Sequence, residues 1–175
     1  MKIHIVPLEL KNLLLLDFVA KELTMKFSAD IIVDSLKIPF ENAHSINRLQ
    51  YYSTQVIANA SEKSSELEGK VIILTSLDLY VPALTYIFGE AQLDGKHSIV
   101  SACRLHEEFY SGITNEELLL ERTIKEVLHE LGHNFGLKHC NDWDCVMHSS
   151  PGIEEVDIKG KFYCKNCRKS LPLKN

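Results

Sequence analysis

His129, Glu130 and His133 form a His-Glu-x-x-His run. On a helix its two imidazoles fall one turn apart on the same face, where both can reach one zinc ion. Glu130 sits beside that face and can take a proton from a zinc-bound water. Gly136 follows His133 by three residues, where a left-handed residue can end a helix without steric cost. The chain can then turn sharply and return His139 as a third ligand. Three neutral imidazoles leave one tetrahedral position open, the arrangement of a catalytic zinc site. The competing reading is an ordinary helix that happens to carry histidines.

Four of the five cysteines, Cys140, Cys145, Cys164 and Cys167, fall after this run. Cys164-x-x-Cys167 is a tight turn whose two thiolates can share a metal, and Cys140 with Cys145 supplies a second pair. Four thiolates around zinc make a closed site with no place for substrate, so its role would be structural. Free thiols or disulfides are the alternatives, the latter disfavoured because nothing in the sequence suggests export. Cys140 directly follows His139, so the two sites would be adjacent in the chain. Cys103, left without a partner in an apolar strand-like stretch, reads as a buried inert thiol. His148 could approach the cleft, whereas His4, His44, His97 and His106 read as surface or strand residues.

These groups need a frame. Lys2 to Leu8 reads as a strand and Leu10 to Leu23 as an amphipathic helix. Ile31 to Leu36 fits a second strand, and Arg48 to Ala60 a helix. The continuous apolar run Val71 to Thr75 is the mark of a strand covered on both faces, as in a parallel sheet with crossover helices. Tyr86 to Gln92 and Ser98 to Leu105 are strand-like, separated by an Asp94-Gly95 turn. The longest helix begins near Asn115, with Thr114 and Glu117 as a capping box. Along it Leu120, Ile124, Val127, Leu128, Leu131 and Phe135 form one apolar stripe, with His129 and His133 about 170° from its centre. After Gly136 periodic apolar residues give way to Cys, His, Asn, Asp, Ser and Pro. The expectation is one α/β domain over 1–175, with an N-terminal part over 1–136 and a small irregular C-terminal part over 137–175 that needs metal to hold its shape.

At 175 residues and 45% hydrophobic, with only 8 Gly and 5 Pro, the chain can build a real core and is neither disordered nor collagen-like. The net charge of -5 argues against general nucleic-acid or anionic-membrane binding, which needs an excess of Lys and Arg. No apolar run approaches the length of a membrane span, and the start lacks the features of a signal peptide, so a cytoplasmic protein is expected. Between Lys159 and Lys174 lie Lys159, Lys161, Lys165, Arg168, Lys169 and Lys174 with no acid among them. This reads as a solvated face.

The stretch His129-Glu130-Leu131-Gly132-His133-Asn134-Phe135-Gly136-Leu137-Lys138-His139 resembles the zinc motif of metzincin metallopeptidases. Its continuation through Cys140, Cys145-Val146-Met147 and Cys164-Lys165-Asn166-Cys167 is similar to the archaemetzincins. The resemblance implies a mixed, mostly parallel twisted sheet with packed helices, an active-site helix and a cleft. It also implies a Met-turn at Met147 under the catalytic zinc, a second zinc held by the cysteines, and an edge strand at Phe88, Gly89, Glu90 and Ala91 that binds substrate. The expected activity is zinc-dependent hydrolysis of a peptide or protein substrate, with two zinc ions per chain and Glu130 as general base. The alternative is a non-catalytic zinc protein, in which Cys140 competes for the histidine-bound ion or the cysteine part binds a partner.

Overall fold

The computed structural model describes residues 1–174. In chain order its elements are β1 (Lys2–Leu8), α1 (Leu13–Lys26), β2 (Asp30–Val33), β3 (His44–Ser45), β4 (Gln50–Tyr52), α2 (Ser53–Lys63), β5 (Lys70–Thr75), β6 (Leu79–Tyr80), β7 (Gly89–Ala91), β8 (His97–Ser101), α3 (Glu108–Ser111), α4 (Glu116–Asn134), α5 (Ile153–Ile158) and α6 (Lys165–Arg168). The main sheet runs β2-β1-β5-β8-β7, parallel except for β7, which pairs antiparallel with β8 at the edge. This is the mixed, mostly parallel sheet that the sequence implies. A small second sheet, β3-β4-β6, lies beside it.

The apolar run in β5 faces both ways, as a strand covered on two sides must. Ile72 and Leu74 join the core under α1 and α4, with Leu15, Val19, Leu23, Ile124, Val127 and Leu131. Val71 and Ile73 pack on the other side with Val56, Ile57 and Ala60 of α2. The sheet is therefore sandwiched, and α4 is laid across it with its C-terminal end near the β7–β8 turn.

Several boundaries differ from expectation. Gln50 to Tyr52 is a strand rather than the start of a helix, because Tyr51 and Tyr52, good strand formers, pair with Leu79 and Tyr80. The second strand stops at Val33. The next residue, Asp34, turns its carboxylate onto His4 Nδ1 at 2.5 Å. Only Gly89–Ala91 of the 86–92 stretch is a strand, and after Ser101 the chain enters a tight 3₁₀ turn at Cys103–Leu105. Cys103 is thus half-buried in a turn, where burial, its largest influence, raises its pKa and keeps the thiol neutral. The helix cap is Asn115 itself, whose Oδ1 accepts from Leu118 N at 3.0 Å, so Thr114 and Glu117 do not form the box.

His97 and His4 lie on strands but are buried. The His97 ring is held by Ser64 Oγ (2.8 Å) and Gln92 Oε1 (3.2 Å). Burial, aided by the Lys96 charge, pushes its pKa down to about 4. The folded protein therefore binds this proton less readily than the unfolded chain, so stability is full above about pH 6.5 and is lost as pH falls towards 4. In urea unfolding, the stability advantage of wild type over His97→Gln should shrink by roughly 2–3 kcal/mol between pH 7 and pH 4.5. An unchanged difference would refute a buried neutral imidazole.

Candidate metal centre

The end of α4 is fixed by its own chemistry. Gly136 takes φ +86°, its N–H donates to His133 O (2.9 Å) and Leu137 N donates to Gly132 O (2.9 Å). That double closure is a Schellman motif, and it reverses the chain as the glycine predicts. The β7–β8 hairpin is tied to the same end: Asp94 N donates to His133 O (2.9 Å), and Asn134 Nδ2 donates to Gln92 O and His97 O. Lys70 Nζ caps the last turn through Asn134 O at 2.7 Å. The helix carrying the imidazoles and the edge strand beside them thus form one unit.

The face of α4 expected to stand open is covered. The cover is partial: Val146 and Lys159 lie against His129 and Gly89 lies against Glu130, so these two are each only 5% exposed, whereas His133 is half-buried and His139 exposed. His129 Nδ1 lies 2.8 Å from Val146 O, and His133 Nδ1 lies 2.7 Å from Leu137 O. A carbonyl can only accept, so both Nδ1 atoms carry the proton and both Nε2 atoms present lone pairs. Those Nε2 atoms face each other at 3.1 Å, and a donor nitrogen of His139 completes a set lying within 4.8 Å of one another. Lone pairs converge in this way where a cation binds them, so the residues fit a zinc ion with an outer ring of carbonyl partners. Burial also lowers the pKa of all three histidines, most strongly at His129, which keeps them neutral as ligands must be.

Met147 is fully buried and lies against α4 at Gly132. A Cβ added to Gly132 would run into its sulfur, so the glycine lets the methionine pack directly under α4. Gly89 works similarly for Glu130: a Cβ there would lie 2.8 Å from Glu130 Cγ and Oε1. The sequence motif does not mark Gly132 as a packing residue, and nothing in it distinguishes Tyr163, whose hydroxyl donates to Leu128 O at 2.6 Å.

The sulfurs of Cys140, Cys145, Cys164 and Cys167 also lie within 4.8 Å of one another. Cys164 N donates to Cys145 Sγ at 3.3 Å, a bond that favours thiolate. Backbone amides, that of Cys167 first, bring the Cys164 thiol down to about 7, while burial raises Cys145. Four soft donors gathered with amide support fit a second zinc ion. Cys140 turns towards this group, 3.9 Å from Cys164 Sγ. His148 Nδ1 donates to Cys140 O (3.1 Å) and its ring stacks on Trp143, so His148 braces the loop and is absent from the cleft wall.

A cleft of about 690 Å³ opens above the histidines, and Phe88, Gly89, Glu90 and Ala91 all contribute to its wall. Their roles differ. Phe88 is core, its ring against Tyr86. Glu90 points its carboxylate at the start of α2, onto Ser53 Oγ and onto Thr54 Oγ1 (2.8 Å). Ser101 N donates to Phe88 O and Gln92 N to His97 O, so by antiparallel alternation the amide groups of Gly89 and Ala91 face away from β8. Three carboxylates line the cleft: Glu90 is bonded to hydroxyls, Glu126 to Lys159, and Glu130 has no hydrogen-bond partner among the described residues. Burial first, then the neighbouring Glu126, pushes the Glu130 pKa well up, with Lys159 opposing. A divalent cation nearby would favour its carboxylate form.

One reading of the tail is overturned. Lys159 is not on a solvated face but completely buried, its ammonium 2.8 Å from Glu126 Oε1, because the return of the chain after α5 lays it against α4.

The pattern of Peptidase family M54 matches residues 20–173. The archaemetzincin of Methanocaldococcus jannaschii is 37% identical over 171 residues, covering 98% of this chain and 93% of that one. The structure of archaemetzincin from Archaeoglobus fulgidus, complexed with malonate, superposes with a TM-score of 0.82 at 31% identity, covering 98% of this chain and all of the other. A zinc-dependent peptidase from Methanocorpusculum labreanum superposes at 0.85 with 28% identity over 96% of this chain and 98% of its own. No helix among the described residues is long and apolar enough to cross a membrane. With the match extending across both cysteine pairs and the whole histidine run, the chain belongs to peptidase family M54, the archaemetzincin family of metallopeptidases.

Proposed function

We infer that the chain hydrolyses peptide bonds, with His129, His133 and His139 holding a catalytic zinc and Cys140, Cys145, Cys164 and Cys167 a structural one. The observation that carries this reading is the pairing of convergent, tautomer-fixed Nε2 atoms with Glu130, the one cleft carboxylate without a partner among the described residues. Zinc bound there supplies Lewis acidity, lowering the pKa of a water and polarising a carbonyl. Glu130 accepts the proton of the attacking water and returns it to the leaving amine. Gly89 and Ala91 offer free main-chain groups along the edge of the sheet, where an extended peptide can add as a further strand. Met147 is the apolar floor that keeps the imidazoles from sinking towards the core. Zinc held by the four cysteines would fix the C-terminal part against the N-terminal part.

The test is digestion of a tryptic digest of casein by the zinc-loaded protein, followed by mass spectrometry of new termini. New termini that vanish with 1,10-phenanthroline are expected. Zinc-loaded protein that yields none above a protein-free control would contradict the reading.

A further inference from the structure

Glu126 and Lys159 take no part in the mechanism above, yet they sit at its centre. Glu126 is one helical turn before Glu130, is 3% exposed and contributes to the cleft wall. The Lys159 side chain has no exposed surface. Its ammonium is 2.8 Å from Glu126 Oε1 and 3.5 Å from His129 Nδ1. Because His129 Nδ1 already donates to Val146 O, that second approach is a packing contact, and the lysine's strong partner is the carboxylate.

Burying an ion pair costs desolvation that an apolar pair of similar volume would avoid, so such a pair adds little to stability by itself. The adjacent turns of α4 are already clamped to α5 by other groups. Arg122 makes a two-point bond to Asp157 at 2.7 Å, and Lys125 Nζ donates to Val156 O and Asp157 O. The Glu126–Lys159 pair is therefore redundant as a fastener. What it does uniquely is hold a carboxylate at the cleft wall with one oxygen engaged. Beyond that ion pair the carboxylate receives no hydrogen bond among the described residues, its Oε1 being buried without one, and a carboxylate this deeply buried has acceptor capacity left for a further donor. With Lys159 cancelling its charge, the pair calls for a neutral N–H rather than a cation.

Resting on the peptidase reading, we propose that Glu126 is a substrate-orienting residue that accepts a main-chain N–H of the bound peptide, and that Lys159 is the positioning residue that holds it there. The contact would fix the peptide across α4 while β7 fixes it along the sheet, so that two perpendicular constraints aim the scissile carbonyl at the histidine site. No charge develops at this bond during the reaction. Its effect should therefore fall on peptide binding, with kcat less affected than KM.

The experiment compares two zinc-loaded proteins that bind without cutting: Glu130→Gln, and Glu130→Gln carrying Glu126→Met and Lys159→Met together. The double replacement exchanges the ion pair for an apolar pair and leaves no unpaired buried charge, so folding is preserved. The probe is the casein peptide that wild type cleaves fastest, with a series in which each amide is N-methylated in turn, titrated by calorimetry. The ion-pair-free protein should bind the unmethylated peptide about ten- to a hundredfold more weakly. One N-methyl position should weaken binding to Glu130→Gln by a similar factor and lose that penalty in the ion-pair-free protein. Equal affinities and identical methylation profiles in the two proteins, at equal zinc content, would overturn the proposal alone. A wild type that cleaves no casein peptide would instead remove the peptidase reading and this proposal with it.

Discussion

Replacing Glu130 by Gln should lower peptide cleavage by at least about 10²–10⁴-fold while leaving zinc at the histidine site. The amide has the shape of the carboxylate but cannot accept a proton from water. It fits the space beside Gly89 that the glycine's missing side chain provides, so β7 and the cleft should stay in place. Glu130 supplies no ligand atom to the histidine group, so metal content should be unchanged by plasma mass spectrometry. A variant that keeps its activity would show that another group takes the proton. One that loses zinc as well would show that the residue's main work is structural.

The second large effect is expected at a residue remote from the chemistry. Cys145→Ser should empty the cysteine site and also weaken the histidine site. Cys145 is fully buried and accepts the Cys164 amide, and its neighbour Val146 both accepts from His129 Nδ1 and donates to Phe162 O. Met147 O in turn receives the amide of Cys140. Loss of the thiolate set therefore releases the carbonyl that holds the His129 tautomer, and outer-ring losses of this kind weaken metal binding by about 10–100-fold. Losing a structural zinc should cost at least about 4 kcal/mol, or roughly 8–16 °C in Tm for a chain of this size. Cys103→Ser, in its isolated turn, is the control. Equal melting temperatures for the two variants would refute the stability cost, and an unchanged zinc affinity of the histidine site in Cys145→Ser would refute the coupling.

The sequence announced the metal centre far better than its surroundings. A helix forces i and i+4 imidazoles onto one face, and Gly136 marks the reversal that returns His139, so ligand types and spacing suffice to place them together. The apolar run at 71–74 likewise signalled a strand covered on both faces. Burial of His129 and Glu130 was not legible, because their cover comes from distant segments, Val146 and Lys159 over the first and Gly89 over the second, brought there by long-range contacts. For the same reason Lys159 read as one more cation in a basic tail, although it is sealed against Glu126. Glu90 was legible as part of an edge strand, but the direction of its carboxylate depends on Ser53 and Thr54, which the sequence places far away. Periodicity reports which residues share a face and says nothing of which distant segment will cover it.

The most direct test of the account is the zinc content of protein purified without added metal, for wild type, His129→Ala/His133→Ala, and Cys164→Ser/Cys167→Ser. Two zinc ions per chain in wild type, with one lost on removing the histidines and the other on removing the cysteines, is the predicted result. One zinc that survives loss of both histidines and disappears with the cysteines would contradict a catalytic metal at His129, His133 and His139.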